Sequence, residues 1–156
     1  MPAREHRFET SLSWTGDTGE GTASYRSYER AHEMGAEGRA PILGSSDPHF
    51  RGDGARWNPE LLLVAALSSC HQLWYLHLAS QAGVVVTAYE DCAEGWMQEN
   101  ADGSGQMTRV RLRPRVTIAA GEPQLAQSLH HQANAMCFIA RSVNFPVAHE
   151  AEVVVG

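Results

Sequence analysis

Asn58-Pro59-Glu60-Leu61-Leu62-Leu63-Val64-Ala65-Ala66-Leu67-Ser68-Ser69-Cys70-His71 is the stretch on which the fold turns. Asn58 suits a helix N-cap, Pro59 the first helical position, and Glu60 the positive end of the helix dipole. From Leu61 to Leu78 the chain is apolar on nearly all sides, the pattern of a helix buried in a core rather than laid on a surface. Gly83 supplies the stop. The stretch therefore predicts one central, buried helix.

On its N-terminal side, residues 6–15 alternate: Phe8, Thr10, Leu12 and Trp14 face one way, Glu9, Ser11 and Ser13 the other, as in a half-buried strand. Gly16, Gly19 and Gly21 mark a turn, and residues 22–30 read as a second strand. Residues 31–57 are rich in Gly, Pro, Asp and Ser and read as loop, with one short strand near Ile42–Leu43.

On its C-terminal side, Val84–Cys92 reads as a strand and Asp102-Gly103 as a turn. Residues 107–118 alternate Val110, Leu112, Val116 and Ile118 against Arg109, Arg111, Arg113 and Arg115. Pro123 opens a second helix carrying Leu125, Leu129, Ala133 and Met136. A short helix is expected near Cys137, and residues 147–155 close as a strand. Segregated runs of this kind predict an α+β domain over residues 1–156, a sheet wrapped on a buried helix.

A chain of 156 residues buries about two thirds of its unfolded surface, enough for one real core. Apolar residues at 43% and charged residues at 19% place it among globular proteins. The net charge of −6 argues against nucleic acid, whose binding needs a basic face. No run of about 18 apolar residues is free of polar interruption, so no membrane span is expected. The N-terminus lacks an apolar signal region, and a cytoplasmic location is expected. In that reducing setting three cysteines imply catalytic or inert thiols rather than structural disulfides.

Taken singly, each candidate residue has a bland reading. Cys70 inside an apolar helix behaves first as a small hydrophobe. Cys137 is either core or a thiolate held by helix N-terminal amides. Cys92 sits among Glu90, Asp91 and Glu94, where a thiolate is disfavoured, and is read as inert. Glu60 is about 15 Å of helix rise from Cys70 and about 80° off its face, so it reaches that thiol only if the helix breaks. His77 is read as a core histidine. The adjacent pairs Cys70-His71 and His130-His131 lack zinc spacing, which leaves zinc a weak reading. The arginine stripe is a solvated face or a contact for a subunit or acidic partner. No glycine-rich phosphate loop is present, so no nucleotide cofactor is expected.

Three segments taken together resemble the OsmC/Ohr family of organic hydroperoxide resistance proteins. They are Asn58-Pro-Glu through Cys70-His71, Ala135-Met-Cys137-Phe-Ile-Ala-Arg-Ser142, and Phe50-Arg-Gly52. The resemblance implies an OsmC-like fold, antiparallel sheets on a central helix in an intertwined homodimer. It implies a thiol peroxidase in which Cys70 attacks an organic hydroperoxide and Cys137 resolves the sulfenic acid. Glu60 and an arginine would hold the thiolate. A dithiol, a lipoylated protein in the Ohr branch, would restore the enzyme. Two positions depart from the family pattern. Cys137 is followed by Phe138 where many members have proline. Alignment on Phe50-x-Gly52 puts His49 at the usual arginine position; Arg51, two residues away, is taken as the site arginine, with Arg26 as a strand-borne alternative. Leu73, Trp74, Met136 and Phe138 are candidate lining for an alkyl or acyl pocket. Two other functions fit the same residues: an OsmC-fold stress or ligand-binding protein without robust turnover, and a zinc-binding regulator.

Overall fold

The computed structural model describes residues 1–156, which divide into two compact units, Met1–Pro59 and Glu60–Gly156. The first unit carries one antiparallel sheet of β1 (Ser11–Trp14), β2 (His32–Gly35) and β3 (Ile42–Gly44), in that order. The strand expected over residues 6–15 is therefore cut to four residues. It is also not half-buried: Phe8 is 91% and Leu12 65% exposed, because β1 pairs only with β2 and both its faces stay open.

Residues 22–30 do not form the expected strand. Side chains take over the backbone groups that a ladder would use. Asp17 Oδ1 accepts the amides of Gly19 and Gly21, and the Ser27 hydroxyl donates to the Gly21 carbonyl. The Arg30 guanidinium lies over the Tyr25 and Tyr28 rings and donates to both carbonyls. The second strand comes later, as β2, inside the stretch read as loop. The short strand at Ile42 is present as β3.

Helix α1 runs unbroken from Pro59 to Gln81. Its end matches the expected stop: Gly83 has φ 73°, and the Val84 amide closes back on the Ala79 carbonyl at 2.9 Å. By length and composition alone α1 is apolar enough to cross a membrane, as the core helix of a globular protein also can be. One stripe of it, Leu67, His71, Tyr75 and Ala79, is buried. The expectation of burial all round fails in this chain, since Leu61 is 50% and Leu73 63% exposed.

The second unit has two three-stranded sheets. One is ordered β4 (Val85–Asp91), β7 (Pro114–Ala120), β9 (Glu152–Val155); the other β5 (Glu94–Glu99), β6 (Gly105–Leu112), β8 (Val147–His149). Antiparallel pairs join β4 to β7 and β5 to β6, while β8 and β9 add in parallel. The alternating run at 107–118 is thus two strands. The chain changes sheets at Arg113, whose amide leaves the ladder to donate to Asp91 Oδ1, and Pro114 has no amide to give. The run 147–155 splits likewise. The inward face is as expected: Val110, Leu112, Val116 and Ile118 are all buried.

Helix α2 spans Pro123–Met136 and buries Ala126, Leu129, His130 and Ala133, a face turned slightly from the expected one. Leu125 and Met136 are exposed. The α1 stripe divides the core. Leu67 packs with Val110 and Leu112 of β6. Tyr75 and Ala79 pack with Val116 and Ile118 of β7 and with α2. The Tyr75 hydroxyl donates to the Ala126 carbonyl at 2.9 Å and ties the two helices together. His71 lies between the two clusters on the same stripe.

Candidate active site

Cys70 projects from the middle of α1 beside the buried stripe, where it is half-buried. Cys137 ends α2: its backbone leaves the helix at φ −62°, ψ 118° and its side chain is 1% exposed. The two thiols, far apart in sequence, meet as hydrogen-bonding neighbours, both reduced. The helix expected after Cys137 is one 3₁₀ turn, Ala140–Ser142. Its first amide, Ala140 N–H, donates to Cys137 Sγ at 3.4 Å, and Arg141 N–H donates to the Cys137 carbonyl at 3.0 Å. Burial pushes the Cys137 thiol up, and the adjacent Cys70 sulfur adds to it; the Ala140 amide opposes both. Cys137 is therefore held as a thiol, the form that attacks only after a base or solvent takes its proton.

The remaining expected site residues belong to other segments of the chain. Glu60 is in the first turn of α1, and because the helix is continuous it stands about 15 Å along the axis from Cys70 of its own chain. Arg51 belongs to the first unit. It closes the 3₁₀ turn Pro48–Phe50 with φ 62°, a left-handed backbone uncommon outside glycine. The loop around it is closely built. Asp47 Oδ1 accepts the His49 amide at 2.8 Å, Ser46 Oγ donates to the Phe50 carbonyl, and Gly52 passes so near the Ser46 carbonyl that any Cβ would collide with it. His49, the other residue aligned here, has its ring on Asp47 at 2.5 Å. Arg26 is exposed on a turn, not on a strand. Cys92 is exposed, and its carbonyl accepts from Arg113 Nε.

Beside α1 lies an open cleft of about 290 Å³ lined by Leu73, Trp74, His77 and Phe138. The Trp74 indole stands edge-on to Phe138 at 5.4 Å and to His77 at 5.8 Å. Three expected pocket residues thus converge. Met136 is exposed outside that lining. His77 is exposed rather than core.

Residue-by-residue reading passed over a histidine cluster. His71 Nε2 and His130 Nδ1 lie 3.1 Å apart with rings stacked at 7°, and Tyr75 stacks on His130 at 4.0 Å. His149 of β8 packs on His71 at 5.7 Å. Desolvation, then the His149 charge, pulls His71 down to about 4, with Asp91 opposing. Desolvation and the His71 and His149 charges pull His130 down to about 3. The rings stack on one another rather than converge on a point, and no three His, Cys, Asp or Glu side chains are arranged to hold a metal ion. Only the burial of both His71 and His130 on regular helix faces could have signalled the cluster from sequence.

Three of the four stripe arginines pair with carboxylates of the same chain. Arg111 and Arg113 bond Glu94, Arg111 also meets Glu150, Arg115 meets Glu152, and Arg109 stacks on Trp96 at 4.0 Å. Arg111–Glu94 and Arg115–Glu152 are direct cross-strand partners. Arg109, Arg113 and Arg115 are exposed in the single chain.

The OsmC-like protein family model matches residues 52–152. A solved OsmC-like protein of unknown function from Vibrio cholerae is 33% identical, with TM-score 0.85 over 94% of this chain and 99% of that one. An organic hydroperoxide resistance protein from Elizabethkingia anophelis superposes with TM-score 0.69 at 14% identity, over 98% of this chain and 99% of its own. Another, from Legionella pneumophila, gives 0.67 at 16%, over 96% and 99%. At those identities the last two speak for the fold alone. No curated protein matches the sequence. Matched by that family model over most of its length, the chain belongs to the OsmC-like family.

Proposed function

We propose that this protein is a thiol peroxidase that reduces organic hydroperoxides. The observation that supports it best is the meeting of Cys70 and Cys137 as hydrogen-bonding neighbours. Two neighbours in fold carry the name organic hydroperoxide resistance protein. In the reaction the Cys70 thiolate attacks the distal oxygen of ROOH. The O–O bond breaks, RO⁻ leaves and takes a proton as ROH, and Cys70 becomes a sulfenic acid. Cys137 then attacks that sulfur, expelling water and forming the disulfide. A dithiol, a lipoylated protein being one candidate, reduces it by exchange.

The half-buried Cys70 receives the substrate, and the buried, protonated Cys137 waits for the sulfenic acid; this division of labour follows from their environments. Arg51, on its constrained loop, is the proposed cation for the thiolate. Within one chain Glu60 cannot reach Cys70, so its proposed role is in a homodimer, where Glu60 of one copy serves Cys70 of another. The open apolar groups Phe8, Leu12, Leu61 and Leu73 support such an assembly. A cytoplasmic location and a single functional domain over residues 1–156 complete the reading.

The test is mass spectrometry after one equivalent of cumene hydroperoxide. The expected product is a Cys70–Cys137 linked peptide with loss of the two thiol hydrogens and consumption of the peroxide. Both thiols free, with the peroxide intact, would favour a ligand-binding protein of the same fold.

A further inference from the structure

We propose that the buried His71–His130 hydrogen bond is a positioning device for the two thiols, holding α1 against α2 in the register at which Cys70 and Cys137 can form a disulfide. The inference rests on the reading of Cys70 and Cys137 as redox partners and adds two positioning residues to it.

Three contacts tie α1 to α2. Cys70 meets Cys137, His71 Nε2 meets His130 Nδ1 at 3.1 Å, and the Tyr75 hydroxyl donates to the Ala126 carbonyl at 2.9 Å. They ascend α1 as they descend α2, so the two helices run in opposite directions along this seam. Tyr75 lies four residues past His71 and Ala126 four before His130, about one turn on each helix. His71 directly follows Cys70. His130 precedes Cys137 by seven residues. That is about 700° of turn, within about 20° of two full turns, so imidazole and thiol share a face of α2. A slide of one helix past the other by a turn, about 5.4 Å, would break the imidazole contact and part the sulfurs together.

Packing alone does not account for imidazoles here. His71 is 1% and His130 0% exposed, and each has one ring nitrogen buried without a partner. Leaving such a group unpaired costs stability. An apolar pair would fill the seam without that cost, but apolar contact is non-directional and tolerates a slide. A hydrogen bond between two rings within 7° of parallel does not, because distance and angle must both be met.

The probe is glutathione. One oxidised glutathione takes the thiol hydrogens of Cys70 and Cys137, leaving the protein disulfide and two reduced glutathiones. The readout is the equilibrium constant of that exchange, from the fraction of Cys70–Cys137 linked peptide mapped by mass after an acid quench. His130→Phe keeps a ring on Tyr75 and removes the hydrogen bond, and the constant should fall at least about five-fold. His130→Asn carries a donor and an acceptor at the depth of Nδ1 and should restore the constant to within about two-fold of wild type. Leu67→Ala loosens α1 from β6 rather than from α2, so the constant should stay within about two-fold although stability falls. A constant unchanged in His130→Phe, an equal loss in His130→Asn, or an equal loss in Leu67→Ala overturns the proposal. Coupling is reciprocal, so oxidation of wild type should slow solvent exchange of the shared ring N–H by the same factor. Proton NMR reads this without any variant, and an unchanged exchange rate overturns the proposal even where His130→Phe does not fold. So does the absence of the linked peptide from wild type at every glutathione ratio. Failure of the peroxidase reading looks different: hydroperoxide is not consumed, while the glutathione constant still responds to His130.

Discussion

His71 on α1 and His130 on α2 share a hydrogen bond of 3.1 Å between Nε2 and Nδ1, in a buried setting that holds both rings neutral. One ring donates and the other accepts, an arrangement that is lost once the accepting ring is doubly protonated. Their outer nitrogens, His71 Nδ1 and His130 Nε2, are buried without partners, so a proton added there also finds no acceptor.

That pair makes stability depend on pH. The folded values are about 4 and about 3, below the ordinary histidine value of 6.5. Between those limits the unfolded chain binds protons that the folded chain refuses, so the contribution is complete above about pH 6.5 and is lost as pH falls towards 4. The expected slope is roughly 1 kcal/mol per pH unit for each ring. Urea denaturation at pH 7, 6 and 5 should show the midpoint falling, and NMR of the imidazoles at pH 5 should show both still neutral. A midpoint that does not move over this range would mean that the cluster takes up protons without penalty.

The three cysteines should separate cleanly. Cys70→Ser should abolish peroxide consumption and leave the fold intact. Cys137→Ser should permit one oxidation of Cys70 followed by over-oxidation under excess peroxide. Cys92→Ser, at an exposed site, should change neither property. Peroxide consumption assays with mass mapping check all three, and equal losses at Cys70 and Cys92 would mean that the wrong thiol has been assigned.

Leu67 is wholly buried where α1 meets β6, against Val110 and Leu112. Leu67→Ala leaves a cavity that the two strand residues cannot fill, and should cost about 2–5 kcal/mol. Leu73→Ala, on the open face of the same helix, should cost under about 1 kcal/mol in a monomer. Denaturant titration of both variants checks the contrast. A large loss at Leu73 that grows with protein concentration would show that face to be an interface.

The cross-strand pair Arg115–Glu152 is well exposed on both sides, at 60% and 64% of the side chain. A double-mutant cycle should return below about 1 kcal/mol, falling further in high salt. A larger coupling would mean that the sheet edge is shielded from solvent by another surface.

Local chemistry made several elements legible in the sequence. Asn58-Pro59 starts α1, Gly83 stops it, Pro123 starts α2, and the alternation at Val110–Ile118 marks an inward face, because each signal is confined to a few adjacent residues. The segment around Cys70 and the one around Cys137 carry the family resemblance for the same reason. What the tertiary structure decided was partnership. The change of sheets at Arg113 depends on Asp91, which lies on another strand. The shift of the second strand to His32–Gly35 follows from side-chain hydrogen bonds that occupy residues 17–30. The neutral pairing of His71 with His130, the exposure of His77, and the meeting of Cys70 with Cys137 depend on how α1 and α2 pack. No pattern within either helix encodes that packing, since burial and contact belong to the assembled core rather than to any segment of the chain.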